Sequence, residues 1–296
     1  MVPDAVFESY YGKPILKKPT WSELDIAGYL FLGGLAGGSS VLAAGAELTG
    51  RPQLARNAKL AALAAISGSL VALIHDLGRP ARFVNMLRVF KPSSPMSMGT
   101  WILTAYGPQA GIAAVTSVTG LFPRTGRVAT LGAALLGPAV ASYTAALIAD
   151  TAVPAWHDAH RELPFVFVGS AASAAGGFAV LTTRAAEAGP ARRVLVVGTV
   201  AELAASEVMR RRMGLSAEAL HSGRAGRLMT TAKTLSVTGA VVGGLFGRRS
   251  RIAAMVGGAA ALAGSACTRF GIFAAGVASA EDPKYTTIPQ RERATG

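Results

Sequence analysis

The sequence predicts an all-α fold: a polytopic integral membrane protein built as a bundle of about eight transmembrane helices, with one further amphipathic helix at the membrane interface. Hydrophobic residues make up 51% of the chain and charged residues only 15%, whereas a soluble domain carries about a quarter charged residues. Apolar runs of about 20 residues recur along the chain, a length that matches the roughly 30 Å hydrocarbon core of a bilayer. Too little polar surface is left for a water-soluble globule.

Residues 1–23 precede the first apolar run and form a predicted N-terminal interfacial segment. This segment has no apolar core and no early cleavage site, so we do not expect it to be a signal peptide. Its prolines and aromatic residues indicate a chain that lies against the first membrane helix.

The predicted transmembrane bundle covers residues 24–278 and is followed by a C-terminal tail at 279–296. Glycine and alanine are frequent in it, as in GGLAGG (33–38) and GGAAALAG (257–264). Small residues let helices approach closely where lipid provides no hydrophobic drive, so a tight bundle is expected. The seventh span is the weakest, because Lys233 lies about one turn inside it. The predicted spans are 24–47, 57–77, 97–121, 128–149, 163–183, 191–209, 228–246 and 252–278.

An even number of spans places both termini at one end of the bundle, together with the connections after spans two, four and six. We call this the terminus end, and the other the opposite end. Basic residues of the opposite end crowd into short turns, where the positive-inside rule has most force, although the basic 210–227 connection argues for the reverse. We predict a plasma or inner membrane protein with the terminus end outside the cell. The net charge of +13 is attributed to this topology, since no nucleic-acid recognition motif is present.

Cys267 is the only cysteine and lies in the last apolar run. A single thiol excludes an internal disulfide and cannot ligate a multi-cysteine cluster. The histidines near helix ends lie at one face, so a two-haem path across the membrane has no ligands at the other. We therefore expect no iron–sulfur cluster, haem or metal site on this chain.

The most polar connection is HDLGRPARFVNMLRVFKPSSPMSMGTW, residues 75–101. Gly78 and Pro80 stop the second span, and apolar residues then recur at helical spacing, which indicates an amphipathic helix in the interface plane. Trp101 follows as an interfacial aromatic anchor. Residues 78–96 are interpreted as a lid that covers the end of the bundle and offers a platform to a partner. The apolar positions of the lid are Phe83, Met86, Leu87 and Phe90.

An interfacial helix that only anchors the bundle would explain the lid arginines equally well, because arginine side chains reach the headgroup region easily. It explains His75 and Asp76 less well, since ionisable residues at a membrane helix end usually face protein or a wet cavity. Arg79 either caps the helix and snorkels or pairs with Asp76. The pairing is favoured, because a neighbouring positive charge would keep the carboxylate ionised.

The lid stretch resembles the signature of the NrfD/PsrC-type membrane-anchor family of molybdoenzymes, the quinone-reactive subunits of polysulfide reductase and its relatives. The likeness runs in order along nearly the whole chain. It is most similar, in YYGKPILKKP together with VPAWHDAHRELPFVF, to the branch that accompanies formate dehydrogenases. The other stretches that resemble the family are YYGKPILKKPTW (10–21) with YLFLGGLAGGSS (29–40), TAVPAWHDAHRELPFVFVGSAASAAGG (151–177) and RFGIFAAGVASAEDPKYTTIPQR (269–291).

The resemblance implies a division of labour. A molybdopterin subunit acts on the primary substrate, formate in that branch, and a four-cluster iron–sulfur subunit carries electrons to the membrane. The present chain docks the iron–sulfur subunit and exchanges electrons with a membrane quinone, either menaquinone or ubiquinone. By itself it is not catalytic toward the primary substrate. The expected docking residues are the basic side chains of the lid, Arg82, Arg88 and Lys91.

The chain's own residues fit quinone reduction, which needs an apolar slot, hydrogen-bond donors at the carbonyl oxygens and a proton source for each electron. Four segments that are distant in sequence bring polar groups to the same membrane level at the terminus end. His75 and Asp76 are the predicted catalytic pair. The predicted quinone-binding residues are Tyr29, His75, Asp76, Arg79, Trp101, Asp150, Trp156, His157 and His160.

Several of these residues also have a simpler interpretation. His157, Asp158 and His160 are typical of a solvated loop, and their H-x-x-H spacing lacks the fourth ligand of a zinc site. Tyr29 and Trp101 are typical of the aromatic belt at a membrane interface.

Two charged residues, Glu202 and Arg269, lie well inside the predicted sixth and eighth spans. Charges at membrane depth are costly unless they are paired or hydrated, and a structural ion pair between the two is the favoured interpretation. The alternative is a polar path by which protons reach the quinone, in which Glu202 is joined by Glu47, Glu207 and Lys233.

Two other function classes stay open. A structural membrane anchor without a quinone site would use the same docking surface. A secondary transporter for protons or solutes would also be polytopic with interior charges, but it should show an internal repeat and paired broken helices. No half-to-half match is found in this sequence.

Overall fold

The computed structural model describes residues 15–79 and 81–295, and for residues 292–295 it describes the backbone alone. Within these ranges the chain contains helices and no strand. The helices in chain order are α1 (Glu23–Leu48), α2 (Pro52–Asp76), α3 (Arg82–Met86), α4 (Pro95–Thr119), α5 (Pro123–Ala149), α6 (Pro154–His157), α7 (Leu163–Thr182), α8 (Gly189–Arg212), α9 (Gly223–Thr238), α10 (Arg251–Glu281) and α11 (Lys284–Thr295).

The eight predicted spans correspond one to one to the long helices. By length and composition, α1, α2, α5, α7 and α10 are each apolar enough to cross a membrane. Helices α4 and α8 have 25 and 24 residues, and about 36 Å of helix is enough for the same distance. The predicted fold class, an all-α polytopic membrane bundle, is confirmed.

Local signals in the sequence set the helix starts. A proline stands in one of the first two positions of α2, α4, α5, α7 and α8, where its missing N–H costs nothing and its fixed φ favours helix. The hydroxyl groups of Ser22, Ser94 and Ser250 accept a backbone N–H in the first turn of α1, α4 and α10. These caps satisfy donors that a helix start leaves unpaired.

Helix α1 lies at the centre of the bundle and packs against α2, α5, α7 and α10. Its apolar stretch is 72% buried, against 39% for those of α2 and α5. At Gly37 the backbone touches Gly137 of α5, and at Gly38 it touches Ala171 of α7, so a Cβ at either glycine would overlap a neighbouring carbonyl oxygen. Small residues thus bring three helix backbones together, as expected for helices in lipid.

The seventh span is irregular. Helix α9 ends at Thr238 and continues as a π-helical segment, Gly239–Phe246. Gly239 and Gly243 of this segment lie against α10, and a Cβ at Gly257 of α10 would overlap the backbone of Gly243, while Gly244 lies against Val196 of α8. Packing against α10 therefore compensates for the weak apolar character predicted for this span.

Contacts between connections define the two ends of the bundle. At the terminus end, ion pairs join the N-terminal segment, the connections after α5 and α8, and the end of α10: Lys18–Glu281, Glu23–Arg224 and Glu162–Arg212. At the opposite end, Glu47 pairs with Lys59 at 2.7 Å and with Arg127 at 3.7 Å. These contacts agree with the predicted placement of both termini at one end.

The lid and the tail differ from expectation. Apart from Pro95 and Met96, which already belong to α4, only Arg82–Met86 of the lid is helical, because this segment buries no residue whose packing would stabilise a longer helix. The tail, in contrast, carries helix α11, and Lys284 at its start lies 3.0 Å from a carboxylate oxygen of Glu218. Pro80 and residues 1–14 of the predicted N-terminal segment lie outside the described residues.

We expect Gly37→Ala to destabilise the protein, because the added methyl group would force α1 and α5 apart. Overpacking of this kind costs about 1–3 kcal/mol. The matched control is Gly45→Ala in the same helix, where nothing lies within 4 Å of an added Cβ and alanine favours the helix. Thermal unfolding in detergent should show a lower midpoint for Gly37→Ala alone; equal midpoints would contradict the close approach.

Candidate functional site

A small pocket lies under the lid at the terminus end, and we call it the lid pocket. Its walls come from α1, α2, α4 and α5, together with Met86 of the lid and Trp21 just before α1. The enclosed space is about 80 Å³. Most of the wall is apolar, and the polar side chains in it are Tyr29, Asp76, Thr100 and Tyr143.

Tyr29 of α1 and Tyr143 of α5 meet in the wall of the lid pocket. Their hydroxyl groups are hydrogen-bonded to each other, and their rings lie edge to face with centroids 6.5 Å apart. Both side chains are buried, so Tyr29 belongs to the bundle interior and not to a lipid-facing aromatic belt. When one hydroxyl donates to the other, the hydrogen of the accepting hydroxyl stays free for a third group. The pair therefore offers a hydrogen-bond donor in an otherwise apolar wall.

Asp76 closes the pocket at the end of α2. Its Oδ1 accepts a hydrogen bond from the backbone N–H of Ser22 at 2.8 Å, which ties the end of α2 to the cap of α1. The expected ion pair with Arg79 is not formed, since Arg79 is exposed and makes no such contact within the described ranges. Because Ser22 occupies Oδ1, Oδ2 is the carboxylate oxygen left for a ligand or water.

His75 points away from the lid pocket. Its side chain is 78% exposed, and its Nδ1 lies 2.9 Å from Oδ2 of Asp25. Neighbouring residues of a helix project about 100° apart, so the two members of the predicted catalytic pair cannot both face the same pocket. Asp76 lines it, and His75 links α2 to α1 on the water side.

Trp101 holds the lid and does not line the pocket. Its Nε1 donates to the carbonyl oxygen of Val89 at 3.2 Å, and its ring meets Phe90 edge to face at 5.9 Å. The hydroxyl of Ser97 donates to the same carbonyl oxygen at 2.9 Å. These contacts fasten the end of the lid to the first turns of α4.

The predicted residues of the connection after α5 do not reach the lid pocket. Trp156 is buried, donates its Nε1 to the carbonyl oxygen of Ile272 at 2.8 Å and stacks on Trp21 at 5.9 Å, so it supports a pocket residue from behind. The other three predicted residues are exposed, which agrees with their interpretation as solvated: Asp150, His157 and His160. In the part of the chain that the structure describes, no three metal-ligating side chains converge.

The basic residues of the lid are free for a partner. Arg82, Arg88 and Lys91 are exposed at the terminus end. Arg82 only reaches the carbonyl oxygen of Leu77, at 3.4 Å. The three residues thus present a positive surface directly beside the lid pocket, which we call the lid platform.

Glu202 and Arg269 are both buried, at 3% and 0% exposure, and the expected ion pair between them is not formed. Oε1 of Glu202 accepts from the hydroxyl of Thr268 at 2.7 Å. The Arg269 guanidinium donates to the carbonyl oxygen of Phe167 at 2.8 Å and lies over the Phe167 ring at 3.7 Å. Each charge is thus held by neutral partners, which in the case of Arg269 include a cation–π contact.

A second, polar cavity of about 600 Å³ lies between α8, α9 and α10. Three residues of the alternative polar path line it: Glu202, Glu207 and Lys233. The fourth, Glu47, is separate from it, because it pairs with Lys59 at the opposite end. His221 also lines this cavity and was missed in the sequence.

Tyr143, Thr100 and Trp21 are among the pocket residues that sequence reasoning missed. A signal for Tyr143 existed: it lies seven residues before Asp150, and Tyr29 lies seven residues after Ser22. Equal spacing from two helix ends at the same side of a membrane implies equal depth. For Trp21 the sequence offers no comparable signal, because its stacking partner is remote in the chain.

A protein-family model described as polysulphide reductase, NrfD, matches residues 15–280. The chain belongs to the NrfD family. No curated protein matches it. The match confirms the resemblance to the NrfD family and leaves the narrower resemblance to the formate dehydrogenase branch a prediction. With the helical bundle it makes this chain the multi-pass membrane subunit of a redox complex. NrfD subunits typically partner with iron–sulfur and molybdenum oxidoreductase subunits.

We expect Trp101→Phe to loosen the lid, because phenylalanine keeps the ring contact with Phe90 and loses the hydrogen bond to Val89. Such a bond contributes about 1 kcal/mol, or about fivefold in an opening equilibrium. Hydrogen exchange of the bonded amides of Leu87 and Lys91 should rise by about that factor. Exchange in α10 serves as the internal reference, and an unchanged lid would refute the role of Trp101.

Proposed function

We propose that this chain binds a membrane quinone, menaquinone or ubiquinone, at the lid pocket and passes to it electrons from an iron–sulfur subunit docked on the lid platform. The observation that carries the proposal is the meeting under the lid of Asp76 with the Tyr29–Tyr143 pair. These side chains come from three separate helices. They supply a carboxylate and a hydrogen-bond donor next to apolar walls, which is the combination that a quinone ring needs.

The side chains that line the lid pocket suit a quinone chemically. The pocket becomes large enough for a quinone ring only when the lid moves. The space of about 80 Å³ is well below the roughly 300–1,000 Å³ of ligand pockets. Met86 and Met96, at the lid and at the first turn of α4, form part of the wall and can adapt their shape. Helix α3, which carries Met86, has no buried residue. Displacement of this short helix is therefore part of the proposal.

Quinone reduction takes up two electrons and two protons. The free hydroxyl hydrogen of the tyrosine pair would hold one ring oxygen. Asp76 would accept and release protons through Oδ2, since it is half-buried and stands between the pocket and the water-exposed end of α2. His75 faces water with Asp25, so its part in the proposal is proton exchange with solvent and not contact with the ring.

The primary substrate proposed for the complex is formate, on the resemblance of YYGKPILKKP and VPAWHDAHRELPFVF to the branch that accompanies formate dehydrogenases. We also propose that the molybdopterin subunit reaches this chain only through the iron–sulfur subunit, and that the terminus end faces outward from the plasma membrane. The basic turns of the opposite end support that orientation.

Asp76→Asn should lower formate-driven reduction of a water-soluble menaquinone analogue by about 100-fold, because it removes the proton-carrying group. The amide oxygen can still accept the hydrogen bond from Ser22, so assembly should be unaffected. The measurement uses the purified complex; co-purification of its subunits is the reference for assembly, and formate-driven reduction of a dye is the reference for the activity of the soluble subunits. The matched control is His75→Gln, which changes the neighbouring residue on the water side and should give a much smaller decrease.

Unchanged quinone reduction in Asp76→Asn and in Tyr29→Phe, with normal dye reduction, would favour a structural anchor without a quinone site. A complex that reduces quinone with another electron donor but not with formate would refute formate as the primary substrate and leave the proposed quinone site intact.

Arg88→Glu combined with Lys91→Glu should weaken the hold on the iron–sulfur subunit, since reversed charges repel a partner that complements a basic surface. Co-purification from solubilised membranes should fall severalfold, and the loss should be larger at low salt, where charges are less screened. Arg124→Glu is the control, because Arg124 is equally exposed but lies at the opposite end. Normal recovery of the partner with the double variant would contradict the lid platform.

A further inference from the structure

The polar cavity of about 600 Å³ between α8, α9 and α10 lies where α8 and α9 diverge, and we call it the vestibule. Near the opposite end of the bundle α8 touches the π-helical segment, where Gly244 lies against Val196. Towards the terminus end the vestibule separates α8 from α9. Two exposed side chains stand in its wall at this end, Arg210 and His221. The vestibule therefore opens to water at the terminus end.

The vestibule reaches the middle of the membrane. Glu202 in its wall lies ten residues before Arg212, the last residue of α8, which corresponds to about 15 Å of helix axis. Lys233 in the facing wall lies ten residues after Gly223, the first residue of α9, and so at the same depth. Half of the roughly 30 Å hydrocarbon core is about 15 Å. Both charged side chains thus stand near the midplane.

Two buried polar atoms in the wall of the vestibule have no partner. Glu202 and Ser236 both line the vestibule and are 3% and 1% exposed. Oε1 of Glu202 accepts a hydrogen bond from Thr268. Oε2 of Glu202 and Oγ of Ser236 form no hydrogen bond among the described residues. Because buried polar atoms are rarely left unsatisfied, these two indicate a ligand inside the vestibule.

The charges of the wall select this ligand. Glu202 and Glu207 are acidic, and Arg210 and Lys233 are basic; Glu207 and Arg210 are already hydrogen-bonded to each other. A metal cation in the vestibule would meet Lys233, and an anion would meet Glu202. Water carries no net charge, and it can donate to one of the two unpaired oxygens and exchange hydrogen bonds with the other.

Few other titratable groups surround Glu202. Arg269 follows Thr268 in α10, but its guanidinium donates to the carbonyl oxygen of Phe167. Helix α7, which also packs against α8, carries no titratable side chain. The titratable groups that share the vestibule with Glu202 are Glu207, Arg210, His221 and Lys233.

We propose that the vestibule is filled with water from the terminus end and that Glu202 is a proton-binding site in the middle of the membrane. Oε2 of the Glu202 carboxylate takes a proton from the vestibule water, becomes a carboxylic acid and returns the proton to the same water. The vestibule and the lid pocket share no lining residue. The proton site is therefore separate from the proposed quinone site, and it does not depend on it.

Water in the vestibule is tested with single cysteines in a Cys267→Ala background, in the full-length protein in lipid nanodiscs. Ser236→Cys places a thiol inside the vestibule. The matched control, Val237→Cys, places one on the exposed face of α9 at nearly the same depth. A charged, water-soluble methanethiosulfonate reacts with the thiolate, which apolar surroundings disfavour. Ser236→Cys should therefore react at least about tenfold faster than Val237→Cys.

A second substitution tests whether the reagent enters between α8 and α9. Ser206 lines the vestibule on α8, and Ser206→Trp would fill the space with an indole ring. The labelling rate of Ser236→Cys should then fall to that of Val237→Cys. The matched control is Ala204→Trp, since Ala204 is exposed on the same helix outside the vestibule, and it should leave the rate unchanged.

Proton binding is read from the infrared C=O band of a carboxylic acid. A band that is absent in Glu202→Gln belongs to Glu202, and the amide oxygen of this variant can still accept the hydrogen bond from Thr268. In the unsubstituted protein this band should disappear at high pH and return at low pH. It should also shift within seconds of transfer into D₂O, because the vestibule water exchanges with the bulk.

Three results would overturn the proposal. Equal labelling of Ser236→Cys and Val237→Cys would show that the vestibule is dry. A spectrum without a pH-dependent band assigned to Glu202, or a band that exchanges its hydrogen only over hours, would show a sealed carboxyl group. A Glu202 band that is lost on addition of sodium at constant pH would show that the ligand is a metal cation and not a proton.

Discussion

The backbone contact of α1 with α5 at Gly37 and with α7 at Gly38 is the interaction on which the rest of the structure depends. Lipid provides no hydrophobic drive between helices, so close packing has to hold them together. A central helix held this tightly fixes the rotation and depth of its neighbours. Tyr29 meets Tyr143 for this reason, and the chain before α1 reaches Asp76 of α2. The polar pocket at the membrane surface is thus a consequence of glycine packing in the middle of the bundle.

Much of the fold could be predicted, because spans depend on local properties: an apolar run of sufficient length and a proline or serine at its start. The differences lie where tertiary contacts decide. The π-helical segment Gly239–Phe246 depends on α10 and α8, against which its glycines pack. The short helix α3 buries no residue, so no tertiary packing extends it over the apolar spacing seen in the sequence. Helix α11 forms in a polar tail that offers no apolar period, and Lys284 connects it to Glu218.

For the candidate site, the depth of each residue in the membrane could be predicted from the sequence, but the direction in which its side chain points could not. Counting from a helix end places Tyr29, His75 and Asp76 at one level, and the structure agrees. Which side of its helix a residue occupies depends on how the helix is rotated against its neighbours, so His75 faces water while Asp76 faces the pocket. The same limit applies to Trp156, which points into α10 and packs. It applies also to Glu202 and Arg269, whose helices are adjacent but whose charged groups take neutral partners.

The two ends of the bundle use their arginines differently. At the terminus end, carboxylates from separate segments pair with four of the basic groups: Lys18, Arg212, Arg224 and Lys284. Those pairs hold segments together, and they leave the lid platform as the basic surface turned to a partner. At the opposite end, carboxylates contact Lys59, Arg127 and the backbone at the start of α2, so the other arginines there have no carboxylate partner among the described residues. A surplus of positive charge in short turns beside helix ends is what retention in the cytoplasm requires. The positive-inside rule counts Lys and Arg near helix ends and not net charge, so the proposed orientation rests on the arginines of the short turns, and the ion pairs at the terminus end serve to hold its segments together.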